Sequence, residues 1–188
     1  PLNVGETVRG EIDWENRFIH MQEHSGEHLV SGLIHAKYGY DNVGFHMGTD
    51  AISLDINGEL TAEQVRLIEI EANEAIEANL PIIIQTLEKK ALDAMSYRSK
   101  KEIEGDVRIV EIPGYDLCAC CGTHPFRTGE IRMIKILSVQ NYKGGVRVSM
   151  LCGFRALADY EEKSESVKTI SVMLSAKEKE IAGEVSRL

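Results

Sequence analysis

Apolar and polar positions along this chain repeat with two different periods, and the changes of period mark out its elements. Residues 5–13 (Gly-Glu-Thr-Val-Arg-Gly-Glu-Ile-Asp) alternate in the manner of a strand, and Phe18 to Met21 continues that pattern weakly. From Met21 to Tyr38 the spacing lengthens, with Leu29, Val30, Leu33 and Ile34 recurring at helical intervals. Gly26 and Gly32 fall inside this predicted helix, where each costs roughly 1 kcal/mol against alanine. Close packing or a ligand has to account for them. Ala51 to Ile56 alternates again and ends at the turn pair Asn57-Gly58. Thr61, with Gln64 at the capping-box position, opens a helix that runs to about Asn79 and is stopped by Pro81. A strand over 82–86, a helix over 87–97 and a strand over 107–112 follow, the last leading through Pro113-Gly114 into a cysteine-rich loop. Arg132 to Gln140 and Gly145 to Leu151 form a predicted hairpin about Lys143-Gly144-Gly145, and a further helix starts near Phe154. The tail from Val167 to Leu188 is charged, helical in pattern and poor in apolar surface. This mixture predicts an α+β fold, a largely antiparallel sheet with packed helices.

Composition narrows the class without naming a chemistry. A chain of 188 residues suits one domain, or one with an appendage, and can bury a core without disulfides or metal. No apolar run approaches the roughly 18 residues that span a bilayer, and no signal-peptide pattern opens the chain. The expectation is a cytoplasmic protein with no membrane partner. A net charge of -9 repels a nucleic-acid backbone from a distance. The charge is uneven, however: Glu59 to Glu77 is strongly acidic, whereas Lys89, Lys90, Arg98, Lys100, Lys101, Arg127, Arg132, Lys135, Lys143 and Arg147 come later. A local basic face is compatible with that order.

Two histidine-bearing segments carry the chemistry. His24 and His28 stand four apart on the predicted helix, so both imidazoles project from one face, a turn apart. Such a pair is a weak signal by itself. Much further on, Cys120-Cys121-Gly122-Thr123-His124-Pro125 puts a thiol and an imidazole in one short loop. Soft thiolate with imidazole selects zinc over magnesium or calcium, and the two segments together make a tetrahedral site of three histidines and one cysteine feasible. Three of the four cysteines crowd into 118–121, which suits a metal site in a reducing compartment better than a disulfide framework. Chemistry alone does not choose among Cys118, Cys120 and Cys121, while Cys152 reads as a buried small hydrophobe.

These motifs also resemble a known family. His24-Ser-Gly-Glu-His28, Cys120-Cys-Gly-Thr-His124 and Arg127-Thr-Gly-Glu-Ile131 are similar to the editing domain of alanyl-tRNA synthetase and its free-standing AlaX-type relatives. Gly144-Gly145-Val-Arg147 and Cys152-Gly-Phe-Arg-Ala-Leu157 resemble it too, and the likeness runs from about residue 10 to 160. It implies a fold of the threonyl-/alanyl-tRNA synthetase editing-domain type, and Zn2+ held by His24, His28, Cys120 and His124. The family usually has glycine where Cys121 stands, and commonly threonine-alanine in place of Ser25-Gly26. The implied reaction is hydrolysis of the ester joining a wrong amino acid, serine or glycine, to the acceptor end of tRNA(Ala). Larger members carry an N-terminal barrel and a C-terminal tRNA-binding domain on a helical linker. The expected organisation is therefore the end of a truncated N-terminal β element over 1–20, a zinc-binding editing domain over 21–163, and the start of a helical linker over 164–188.

Within that reading His24, His28 and Thr123 are the catalytic candidates, and His46, Arg127 and Glu130 the substrate-binding ones. Thr123 and His46 are the polar groups placed to sense a serine hydroxyl, since rejecting alanine requires a partner left unpaired when the hydroxyl is missing. ATP is not expected, because no ATP-binding motif is present, and self-association stays open. Two rivals remain. His24-Ser-Gly-Glu27-His28 also matches the H-x-x-E-H peptidase signature, with Glu27 as base and Glu102 or Glu104 as third ligand. Alternatively, zinc ties a loop to a helix in a non-catalytic RNA-binding module.

Overall fold

The computed structural model describes residues 3–92, 95–99 and 105–187. Its backbone is a long helix α1 (Trp14–Tyr38) packed between two antiparallel sheets and further helices. The first sheet has the order β1-β2-β7-β6, built from β1 (Asn42–Met47), β2 (Ile52–Ile56), β6 (Ile134–Tyr142) and β7 (Gly145–Cys152). The second joins β3 (Ile83–Leu87), β4 (Val107–Ile112) and β5 (Asp116–Ala119) in sequence order. Helix α2 (Ala62–Glu77) lies between β2 and β3, and carries the predicted capping box, Thr61 Oγ1 accepting from Gln64 N at 3.2 Å. The α+β class expected from the pattern is the one observed.

A main apolar core holds the layers together, beside a smaller cluster of Leu92, Val107 and Ile109. Leu29, Val30, Leu33 and Ile34 of α1 are buried with Ile52, Leu54 and Ile56 of β2, Val146, Val148 and Met150 of β7, and Ile68, Ala72 and Ala75 of α2. The two glycines of α1 are explained by close approach. A Cβ on Gly26 would stand 2.4 Å from Cys152 Sγ, and one on Gly32 would stand 2.5 Å from the Tyr115 carbonyl oxygen. Their absent side chains let α1 sit directly on β7 and on the turn before β5.

Three sequence expectations need correction. Residues 6–13 form no strand: they are exposed, and Asp13 Oδ1 caps α1 by accepting from Asn16 N at 3.0 Å, so residues 14–20 belong to the helix. Alternation there has no sheet edge to pair with, and the N-cap decides the matter. The predicted helix over 87–97 shrinks to one turn, α3 (Lys89–Leu92), because β3 runs on to Leu87 in register with Val107. Finally, β1 and β5 were not read as strands. Each is short and gains its identity from pairing, β1 against β2 and β5 against β4.

Helix α4 (Gly153–Met173) runs through residue 163 without a break, and a short α5 (Ile181–Val185) follows. Among the described residues no helix is long and apolar enough to cross a membrane.

Candidate metal centre

Helix α1 and the loop after β5 meet at four side chains. His24 and His28 come from one face of α1, and the turn following β5 brings Cys120 and His124 against them. Ligand atoms of all four lie within 4.8 Å of one another. Cys120 Sγ is 3.4 Å from His24 Nε2 and 3.5 Å from His124 Nε2. A tetrahedral zinc with Zn–S near 2.3 Å and Zn–N near 2.0–2.1 Å requires sulfur-to-nitrogen edges of about 3.6 Å. The donor set therefore fits zinc in both softness and size.

Each imidazole is held through its other nitrogen. His28 Nδ1 donates to Asp116 Oδ2 at 2.8 Å, His124 Nδ1 lies 2.8 Å from Ser25 Oγ, and His24 Nδ1 lies 3.4 Å from the Thr123 carbonyl oxygen. Outer partners of this kind fix ring orientation and leave Nε2 for a metal. Asp116 is itself anchored by Arg98, whose Nε and Nη2 donate to the two carboxylate oxygens at 2.7 and 3.0 Å. Gly122 permits the approach of the loop: a Cβ there would stand 2.1 Å from His24 Cε1.

Electrostatics within the cluster favour a thiolate. Burial opposes ionisation of Cys120, yet hydrogen bonds from His124, His24 and His28 outweigh it and bring the thiol down to about 3. Burial also works against the His28 cation, but Asp116 and Cys120 raise that ring to about 9. His124 is lowered to about 4, chiefly by burial. Cys118 behaves differently. Desolvation pushes its thiol up to about 12, and it is a buried packing residue of β5. A second donor grouping of His28, Asp116 and Cys118 shares its histidine with the first, and its carboxylate is already taken by Arg98. Cys120 is the sulfur of the four-residue cluster, and Cys121 is exposed beside it.

Through His24 the cluster borders a cavity of about 740 Å³, lined also by Asn16, Arg17 and His20 of α1, Phe45 and Met47 of β1, and Cys121, Gly122 and Thr123 of the loop. Residues 107–149 match the family model described as the second additional domain of threonyl and alanyl tRNA synthetases. The alanyl-tRNA editing protein Aarsd1-B of Xenopus laevis is 34% identical over 179 residues, which cover 93% of this chain and 43% of that protein. Alanyl-tRNA editing protein AlaX-L of Pyrococcus horikoshii is 32% identical over 161 residues, 84% of this chain and 40% of that one. By sequence, the chain is a homologue of the alanyl-tRNA editing proteins over most of its own length. It also matches the alanine–tRNA ligase of Ignicoccus hospitalis, at 34% identity over 91% of this chain and 20% of the ligase. The chain thus spans less than half the length of these relatives.

The structure separates the remaining candidates. Thr123 lines the cavity. His46 is exposed on β1 between the cavity-lining Phe45 and Met47, and strand alternation turns it to the other face. Arg127 and Glu130 are not among the cavity residues either. Arg127 Nη2 donates to the Asn79 carbonyl, and Glu130 Oε1 accepts from Phe126 N and Arg127 N at 2.9 and 3.0 Å, so both serve the shape of the loop. Glu27 is buried and accepts from Ser31 Oγ and Asn42 Nδ2, an engaged carboxylate rather than a peptidase base. Glu102 and Glu104 lie outside the described residues. The sequence reading missed Asp116, Arg98 and Ser25, since nothing in a linear spacing ties 98 or 116 to a histidine at 28.

Proposed function

We propose that this chain is an aminoacyl-tRNA hydrolase that removes serine or glycine from mischarged tRNA(Ala). The observation that carries it is the cluster of His24, His28, Cys120 and His124, with zinc-sized edges, bordering a cavity through His24 in a homologue of editing proteins. These four residues would hold Zn2+, which supplies positive charge beside an ester carbonyl. The cavity suits the rest of an aminoacyl end. At about 740 Å³ it lies within the range of small-molecule sites. Phe45, Met47 and Ile12 offer apolar walls, while Asn16 and Arg17 offer donors for ribose and phosphate. Thr123, which lines the cavity, would be the polar group that distinguishes serine from alanine. An aminoacyl ester is already activated, so positioning supplies most of what the reaction needs. The free thiols fit work in a reducing compartment such as the cytoplasm.

The test is deacylation of seryl-, glycyl- and alanyl-tRNA(Ala) by the parent chain and by a Cys120→Ala, His124→Ala double variant. Clearance of the first two by the parent alone supports the reading. No clearance with zinc bound favours the non-catalytic RNA-binding module.

A further inference from the structure

Among the described residues three buried polar atoms have no hydrogen-bond partner: His20 Nδ1, Gln22 Oε1 and Glu23 Oε2. Two of them face each other. His20 Nδ1 and Glu23 Oε2 lie 3.8 Å apart, too far for a hydrogen bond and close enough for one to form by a small rotation of the ring. Glu23 is fully buried, and its other oxygen accepts from Arg155 Nη1. Arg155 donates as well to the carbonyls of Gly48 and Thr49, beyond the end of β1. The carboxylate is thus fixed from behind by a guanidinium that also fixes the loop after β1. His20, by contrast, keeps 42% of its side chain exposed and lines the cavity one turn of α1 before His24. Residues four apart on a helix have Cβ atoms about 5–6 Å from one another, and His20 lines the same cavity as His24 of the donor cluster.

The geometry points to His20 as the general base that activates the attacking water, with Glu23 as the residue that positions its ring; this rests on the editing reading above. Four protein donors already converge on the metal position, a complete tetrahedral shell, so the base is sought on the cavity wall. Outside the donor cluster, His20 is the cavity-lining side chain that has a buried carboxylate behind it. Asp13, at the rim, is occupied in capping α1, and Arg17 carries a permanent charge. The arrangement follows the pattern of a base oriented by a third group, and such bonds are often long until substrate arrives. In the step, the water oxygen bonds to the ester carbonyl carbon while its proton passes to His20 Nε2. Collapse breaks the bond from that carbon to the ribose oxygen, which takes the proton back from His20. The products are a free amino acid and a free ribose hydroxyl.

The experiment compares the parent chain with His20→Gln, His20→Ala and Glu23→Gln in steady-state deacylation of seryl-tRNA(Ala). Zinc content and affinity for a non-hydrolysable seryl-adenosine amide are measured on the same samples. The expected result is a kcat lower by about 10²–10⁴-fold in both His20 variants. KM, zinc content and amide affinity should stay within about twofold. Imidazole in the buffer should partly restore His20→Ala, which a structural role would not allow. Glu23→Gln should lower kcat with KM unchanged. A His20→Gln kcat within about threefold of the parent, or a loss confined to KM, overturns the inference. His20→Gln, which keeps size and polarity at a half-exposed site, carries the test if His20→Ala folds poorly. A parent inactive on both seryl- and glycyl-tRNA(Ala) overturns the editing reading together with this one. An active parent with full-rate His20 variants overturns this one alone.

Discussion

His28 Nδ1 donates to Asp116 Oδ2 at 2.8 Å, and this bond joins the middle of α1 to the first residue of β5 across 88 residues of sequence. Both groups are almost fully buried, and Arg98 closes the far side of the carboxylate. Asp116→Ala is therefore expected to weaken zinc binding about 10–100-fold, by releasing the ring of His28. It should also destabilise the fold, since the Arg98 guanidinium would be left buried without its partner. Competitive titration against a chromophoric chelator measures the first effect and urea unfolding the second. Unchanged zinc affinity would refute the positioning role.

The three clustered cysteines should behave differently. Cys120→Ala is expected to abolish stoichiometric zinc binding, whereas Cys121→Ser and Cys118→Ala should retain it. Cys121 is exposed, and the Cys118 thiol is held neutral by burial. Metal content of purified variants decides this, and zinc retained by Cys120→Ala would show that the wrong sulfur had been assigned.

Two glycines should separate stability from metal binding. Gly26→Ala presses a methyl onto Cys152 Sγ, and is expected to cost about 1–3 kcal/mol of stability while the folded fraction still binds zinc. Gly122→Ala instead meets the ring of His24 in the half-buried loop after β5. It should loosen zinc and leave the melting of the metal-free protein nearly unchanged. Thermal melts with and without chelator distinguish the two patterns.

A pH dependence follows from the cross-strand pair of β2 and β7. Asp55 accepts from Arg147 Nε at 2.6 Å and Nη2 at 2.9 Å, and this hydrogen-bonded guanidinium holds the carboxyl below its usual range. The folded value lies below the unfolded one, so the stabilisation is present above the ordinary carboxylate range and fades as pH falls through the folded value. The stability gap between parent and Asp55→Asn should accordingly narrow from about pH 6 to about pH 2. Urea midpoints across that range test it, and a gap independent of pH would assign the effect to something other than ionisation.

Sequence by itself determined the ingredients. The helical period of Leu29, Val30, Leu33 and Ile34, the Thr61 cap and the hairpin about Lys143-Gly144 are local facts, written in spacing and turn chemistry, and the structure contains all three. So are His24 with His28 and Cys120 with His124, because a helical turn and a tight loop fix those distances within a few residues. Only tertiary structure decided the rest. Residues 6–13 alternate like a strand yet have no edge to pair with, while β1 and β5 exist because β2 and β4 accept them. Asp116 and Arg98 reach His28, and Glu23 is buried between His20 and Arg155, through contacts between distant segments. His46 and Phe45 are neighbours in the chain, but the pleat of β1 gives the cavity to one and solvent to the other. Periodicity can say that a residue sits on a face, and which face is buried, and against what, depends on the partner that packing brings.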